Sequence, residues 1–261
     1  DRSKWDRCID SSDNALIYVR SFYLDHMAGH WDALVLSGGP HNENEYEAVM
    51  PLTWKSKFGI RYLFQPFLTA QMGIFGKGLT KQMISDFIRV IPASFRFIEI
   101  PLNHFNMESA PPRVTIKKNN YVLDLQKPYE SLYNNFNENT RRNIRKAALS
   151  GCRVNKDFDA EKVIGLALTQ MKLHGKQPAE NAERFRKLYR DLKEMGNGST
   201  YGIVQENELL ASCVFFFSHN RAYYILVGNN PEGRSSGASH ALIDAFIKDH
   251  AGQRLVLDFE G

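Results

Sequence analysis

The chain has 261 residues, of which 43% are hydrophobic and 24% charged, and a formal net charge of +4. This balance excludes a disordered or fibrous protein and suffices for one large domain or two compact ones. It is too weakly basic for a chain that coats nucleic acid, so DNA is not expected as a partner, whereas the small excess of cations favours an anionic ligand.

The chain opens "DRSKWDRC", without a charged-then-apolar leader. A helix is expected around "SFYLDHMA" (21–28), and then a meander of antiparallel strands: "WDALVLSG" (31–38), "YEAVMPLTW" (46–54) and "IRYLFQPFL" (60–68). These runs are rich in aromatic and branched residues and are separated by Gly, Asn or Lys-Ser turns. "GKGLTKQMISDFIRVI" (76–91) turns helical, with Met83, Phe87 and Val90 at three-to-four spacing, and "FRFIEIPL" (95–102) returns to strand.

Between the halves, "NMESAPPRVTIKKNNYVLDL" (106–125) reads as a Pro-Pro linker followed by a hairpin around Asn119-Asn120, which sets the expected domains at 1–110 and 111–261. "YESLYNNFNENTRRNIRKAALSG" (129–151) is helical and closes on Gly151, suited to a left-handed cap. Two more helices are expected at about 159–175 and 181–196, joined by "KQPAE"; the second places Phe185, Leu188, Tyr189, Leu192 and Met195 in one apolar stripe.

A second meander follows: "TYGIVQEN" (200–207), "ELLASCVFFFS" (208–218) and "RAYYILVGNN" (221–230). A glycine-dotted loop then leads into a helix with Ala238, Ala241, Leu242, Ala245 and Phe246 on one side, and "RLVLDFEG" (254–261) ends the chain as a strand. Setting "GLTKQMISDFIR" (78–89) over "GASHALIDAFIK" (237–248) aligns Gly78 with Gly237 and Phe87 with Phe246, so the two halves repeat the order strand, strand, glycine loop, helix, strand. The longest apolar run, "LLASCVFFF" (209–217), is far short of the ~20 residues of a membrane-spanning helix. Cys8, Cys152 and Cys213 lack any C-x-x-C spacing, which fits a reducing compartment, so a cytoplasmic location is expected. His26 and His30 are four apart, but Gly29 intervenes and no third ligand is placed, so no metal site is expected.

The loop "GNNPEGRSSGASHALIDAF" (228–246) admits two readings. A phosphate reader needs unencumbered backbone N–H groups at a helix N-terminus, which Gly237 and its small neighbours supply, with Arg234 adding a charge-assisted contact. Alternatively, Ser235 or Ser236 caps a helix and Gly237 only eases its entry.

Arg234-Ser-Ser-Gly237-Ala-Ser239, placed between a meander and a helix, resembles the acyl-CoA pyrophosphate loop of GNAT acyltransferases, Q/R-x-x-G-x-G/A, with Ser239 departing at the last position. The segment "YVLDLQKPYESLYNNFNENTRRNIRKAALSGCRV", together with "VGNNPEGRSSGASHALIDAF" and "LDFEG", resembles FemAB-type transferases, which are tandem GNAT-like folds. The resemblance spans residues 121–261. It implies an α/β (α+β) protein of two tandem GNAT-like halves, each a mixed, mostly antiparallel sheet flanked by helices. The implied reaction is N-acyl transfer, from an acyl-CoA or an aminoacyl-tRNA as co-substrate, to a small-molecule or peptide amine. The expected cleft lies at or near the junction of the halves. Arg234, Gly237 and Ser239 would hold the donor's phosphates.

Arg141, Arg142, Arg145 and Lys146 form a basic stripe opposite Ile144, Ala147 and Ala148. If the helix begins near Asn137, Arg141 and Arg142 sit close to the positive end of its dipole and an anionic substrate would relieve them; if it begins near Tyr129, the stripe is a solvated face with Glu138 paired to Arg142.

Acyl transfer to an amine needs a base and donors for the developing oxyanion. Asp258 and Glu260, which would share a face of the last strand, and Tyr224 are the candidates; the other reading is a polar strand end. His240 and Asp244 read as a surface pair. The chain ends at a strand, before the terminal strand pair such a fold normally carries, so the sequence leaves open whether catalytic groups lie beyond residue 261. A non-catalytic protein retaining an anion pocket is the rival reading.

Overall fold

The computed structural model describes residues 1–38, 45–107, 116–173 and 179–260, and the expected Pro111-Pro112 linker and most of "KQPAE" lie outside them. The chain forms two compact units, Asp1–Lys118 and Asn119–Gly261.

In the first unit, α1 (Arg2–Ser11), whose Asp1 cap accepts from the Lys4 N–H, and α2 (Ser21–Met27) precede the sheet. Gly29, at φ 77°, follows the end of α2, so His26 and His30 do not share a helix face, and His30 stacks on Trp54 instead. The strands β1 (Trp31–Ser37), β2 (Tyr46–Lys57) and β3 (Ile60–Leu63) make the expected antiparallel meander, and the short β4 (Phe75–Gly76) pairs with β2. The helix α3 (Lys81–Arg89), capped by Thr80, crosses to β5 (Phe95–Ile98), which pairs parallel to β3. Ile84 and Phe87 of α3 join Met50, Leu52, Leu63 and Phe95 in the core. A short helix, α4 (His104–Met107), ends the described part of this unit's main body.

The second unit begins with β6 (Val122–Asp124). It is not half of a hairpin: it pairs antiparallel with the last strand, β11 (Val256–Asp258), a partner more than a hundred residues away that no local turn signal reveals. The expected single helix over 129–151 is two. After α5 (Tyr129–Asn134) the chain turns, and Asn137 caps α6 (Glu138–Leu149) by accepting the Thr140 N–H at 2.8 Å. The end of α6 is a Schellman turn: the N–H of Cys152 reaches the carbonyl of Ala147, that of Gly151 reaches Ala148, and Gly151 has φ 78°.

β7 (Arg153–Lys156), α7 (Ala160–Leu173) and α8 (Ala179–Glu194) lead into β8 (Gly198–Gln205), β9 (Glu208–Ser218) and β10 (Arg221–Asn229). Phe185, Leu188, Tyr189 and Leu192 of α8 are buried as expected, but Met195 lies past the helix end and is exposed. The expected loop before the last helix is itself helical. Asn230 caps α9 (Pro231–Ser236) with Pro231 as its first residue, and α10 (Ala238–His250) follows after Gly237 alone. The sheet order is β6-β11-β10-β9-β8-β7, with β10 and β11 parallel and every other pair antiparallel. Both units thus carry an antiparallel meander whose third strand is joined through a helix to a parallel neighbour.

Phe246 of α10 is the centre of the second core. It is fully buried, stacks on Phe215 at 3.8 Å and meets Tyr201 and His250 at 5.6 and 4.4 Å. Two glycines let the helices come this close. A β-carbon at Gly237 would lie 2.4 Å from the carbonyl oxygen of Asn143 on α6, and one at Gly233 would lie 2.2 Å from that of Leu210 on β9.

Phe246→Ala is expected to cost about 3–5 kcal/mol in urea unfolding. Gly237→Ala should cost about 2 kcal/mol or more, because it adds a steric clash to a left-handed φ of 82°, whereas Gly151→Ala, with φ 78° and open space around it, should cost about 1 kcal/mol. Equal losses at the two glycines would show that the contact with α6 is loose.

Candidate functional site

The sheet of the second unit splits between its two parallel strands. β10 pairs with β9 along its whole length, from Arg221 to Asn229, but with β11 only over Arg221, Ala222 and Tyr223. β11 stays with the segment around β6: Asp258 faces Val122, and the Phe259 N–H donates to the Tyr121 carbonyl at 3.0 Å. Among the described residues the parallel pairing therefore ends at Tyr223 and Asp258. At that point β10 carries a bulge, since Tyr224 opposes Phe215 and Leu226 opposes Val214, leaving Ile225 extra. A gap at the carboxyl ends of parallel strands is where open sheets with crossover helices hold ligands.

Tyr224, Asp258 and Glu260 all lie at this split. Tyr224 is partly buried, its ring 6.2 Å from that of Phe259, and burial pushes its hydroxyl well above the usual range, so it stays protonated. The two carboxyls do not form the pair that strand alternation predicts. β11 ends at Asp258, and Glu260 turns into the left-handed region at φ 63°. Asp258 is fully buried and accepts from Arg221 Nη1 at 2.7 Å, Asn120 Nδ2 at 2.9 Å and the Glu260 N–H at 3.1 Å. Glu260 is half-buried, and that burial pushes its carboxyl up to about 8.

The anion candidates surround the N-terminus of α10, beyond the end of β10. Arg234 is exposed on α9, and Ser239, at the start of α10, accepts from Asn229 Nδ2 at 3.2 Å. Gly237 faces α6, with the Asn143 carbonyl in the place a side chain would take, so packing against that helix accounts for this glycine. On α6, Arg142, Arg145 and Lys146 are exposed and Arg141 is partly so, and none of the four makes a salt bridge among the described residues. The helix begins at Asn137, so no Glu138–Arg142 pair forms, and Arg142 donates to Asn139 at 2.8 Å. The face turned inward is Asn143, Ile144 and Ala147; Ala148, expected there, is exposed. His240 and Asp244 are not paired either: Asp244 accepts from the Tyr129 hydroxyl at 2.8 Å, and His240 lies 3.5 Å from Asn143 Nδ2.

Sequence reasoning missed Arg221, Asn120, Asn143 and the bulge at Ile225. Only Arg221 had a readable signal, a cation opening a strand whose parallel neighbour ends in Asp258. A cavity of about 390 Å³, lined by Lys156, Ser199, Tyr201, Phe217 and His250 among others, lies at the other end of α10 and includes none of the candidate residues. Among the described residues no group of three His, Cys, Asp or Glu side chains is placed to hold a metal, and no helix is long and apolar enough to cross a membrane.

Residues 134–260 match the acetyltransferase (GNAT) domain family. No curated protein sequence matches the chain. Among solved structures, FemX superposes with a TM-score of 0.67 at 13% identity, over 100% of this chain and 87% of its own. A conserved protein of unknown function from Bacteroides thetaiotaomicron VPI-5482 superposes with a TM-score of 0.54 at 11% identity, over 99% of this chain and 86% of its own. Residues 134–260, all within the second unit, thus match the GNAT acetyltransferase domain family, and the chain has a fold similar to that of FemX.

Proposed function

We propose that the chain moves an aminoacyl or acyl group from an activated donor to a primary amine at the split between β10 and β11, with Glu260 as general base. The observation that carries this reading is a carboxyl raised to about 8, held where two parallel strands part. A carboxyl so raised is a stronger base than an ordinary one and is half ionised at about pH 8. In the reaction the amine forms a C–N bond to the donor carbonyl and gives its proton to Glu260. In this reading the bulge at Ile225, which interrupts the β9 ladder, would turn a main-chain N–H toward the developing oxyanion. The C–O or C–S bond to the carrier then breaks, Tyr224 gives the leaving group its proton, and the proton taken up by Glu260 returns to restore the Tyr224 hydroxyl. Asp258, its oxygens already engaged, is not the base.

For the donor, the close contact between Gly237 and α6 argues against a pyrophosphate resting on that glycine. The cations of α6, which make no salt bridge among the described residues, and the exposed Arg234, near the N-terminus of α10, favour a polyanionic carrier, and we assign the donor as aminoacyl-tRNA rather than acyl-CoA. That donor would place the reaction in the cytoplasm. The acceptor is a small-molecule or peptide amine.

Mass spectrometry of a primary-amine acceptor panel, incubated with aminoacyl-tRNA or with acetyl-CoA and a longer acyl-CoA, tests the assignment. Transfer is expected from the tRNA donor, with a KM that rises steeply with salt and a slope reduced by about 0.7–0.9 for each α6 cation replaced. Transfer from acyl-CoA alone, indifferent to replacing Arg141, Arg142, Arg145 and Lys146 by Ala, would remove the tRNA assignment.

Glu260→Gln is expected to lower kcat about 10²–10⁴-fold, and in the unsubstituted protein kcat/KM should rise with pH to a plateau above the Glu260 pKa. The same variant has a stability signature. The native Glu260 keeps its proton from the ordinary value of 4.5 up to about 8, while the unfolded chain loses it. Its presence therefore costs nothing below pH 4.5 and progressively destabilises the fold until the pH passes about 8. Melting temperatures of the two proteins should coincide at pH 4 and separate in favour of Gln at pH 9; a constant gap would place the carboxyl in water.

A further inference from the structure

We infer that Asp258 is a positioning residue, which sets the Glu260 carboxyl at the mouth of the split by tying the turn at residue 260 to β10 through Arg221 and to the start of the unit through Asn120. The inference rests on the reading of Glu260 as the base.

A carboxylate with no exposed surface is stable only when charge and hydrogen bonds compensate it. Here one oxygen accepts from Arg221 on β10, and the other from Asn120 and from the main-chain N–H of Glu260. With both oxygens engaged by donors, Asp258 is poorly placed to take a proton from an ammonium ion, and what it does is geometric. It spans three separate pieces of chain at the level where β10 and β11 part. The bond to the Glu260 N–H is an Asx-type turn, and it holds a non-glycine residue at φ 63°, a region such residues rarely adopt unless something fixes them.

The neighbouring residue is fixed as well. The Phe259 N–H is bound to the Tyr121 carbonyl, and the Phe259 ring lies against Tyr224. Arg221 and Tyr224 on β10, Asp258 on β11 and Tyr121 beside β6 are among the charged or titratable groups near this turn. Asn120 is the unexpected member. A residue from the segment that enters the unit meets the same oxygen as the turn that carries the base, so loosening Asn120 should loosen Glu260.

The test is a carboxyl-carbon NMR titration of Glu260 in the full chain, assigned with Glu260→Gln, comparing the unsubstituted protein with Asn120→Ala and Asp258→Asn. Exchange of the Glu260 amide and the pH dependence of kcat/KM are followed alongside. In both variants Glu260 should titrate at least about one pH unit lower as the carboxyl gains water, and its amide should exchange about tenfold faster or more. The inflection in kcat/KM should move with the titration, and kcat should fall about tenfold while the donor KM holds.

If Asp258→Asn does not fold, Asn120→Ala decides alone, because it leaves the ion pair with Arg221 in place. A folded Asn120→Ala protein with the Glu260 titration and amide exchange unchanged would overturn the inference. A titration that moves while the inflection in kcat/KM stays put would uphold the positioning role and overturn the assignment of Glu260 as the base.

Discussion

The second unit depends on a buried charge. Asp258 has no access to water, and its placement inside a protein is tolerable only because a guanidinium, a side-chain amide and a main-chain N–H converge on it. The convergence has a structural consequence. It binds the beginning of β10 to the end of β11, and it binds both to the segment that precedes β6. Below this point the parallel strands are joined by their ladder. Above it, among the described residues, the Phe259 N–H bonds Tyr121 while β10 continues to bond β9. The closed and open halves of the strand pair are two results of the same anchor.

What the sequence made legible follows from how local each signal is. The strands over 208–218 and 221–229 and the helix over 238–250 can be read directly, because their apolar residues recur at the spacing of the element and turn residues bound them. The pairing of β6 with β11 cannot be read that way, since it joins residues whose neighbours in sequence say nothing of one another. The break between α5 and α6 and the helicity of 231–236 belong to a third kind. Asn137 and the pair Asn230-Pro231 are ordinary helix-start signals, and each was overshadowed: the first by a longer periodic run, the second by glycines and serines that read as loop.

Gly237 shows why a motif and its physical cause must be separated. A glycine before a helix satisfies the pattern of a phosphate loop, but the same residue type is demanded by a positive φ and by a neighbouring backbone that leaves no room for a β-carbon. Both demands hold here, and the nearest atom is a carbonyl oxygen, whose partial negative charge would repel a phosphate approaching that face. The positive charge of the region resides elsewhere, on the exposed side chains of α6, where the Asn137 cap places Arg141 and Arg142 within the first turns of the helix. Cations in that position are disfavoured by the helix dipole, and an anion laid across them offsets both repulsions.

The two carboxyls of "LDFEG" carry the last step. Read as a strand, Asp258 and Glu260 are equivalent, two acids on one face. The fold makes them unlike by ending the strand between them. Asp258 keeps the strand's geometry and is met by donors from both flanking segments, which fixes it and leaves little capacity for a substrate's proton. Glu260 leaves the strand through a left-handed turn, is half-buried and is raised to about 8 by that burial. Residue type supplies a carboxyl in both cases, and the surroundings engage one with three donors and raise the other to about 8.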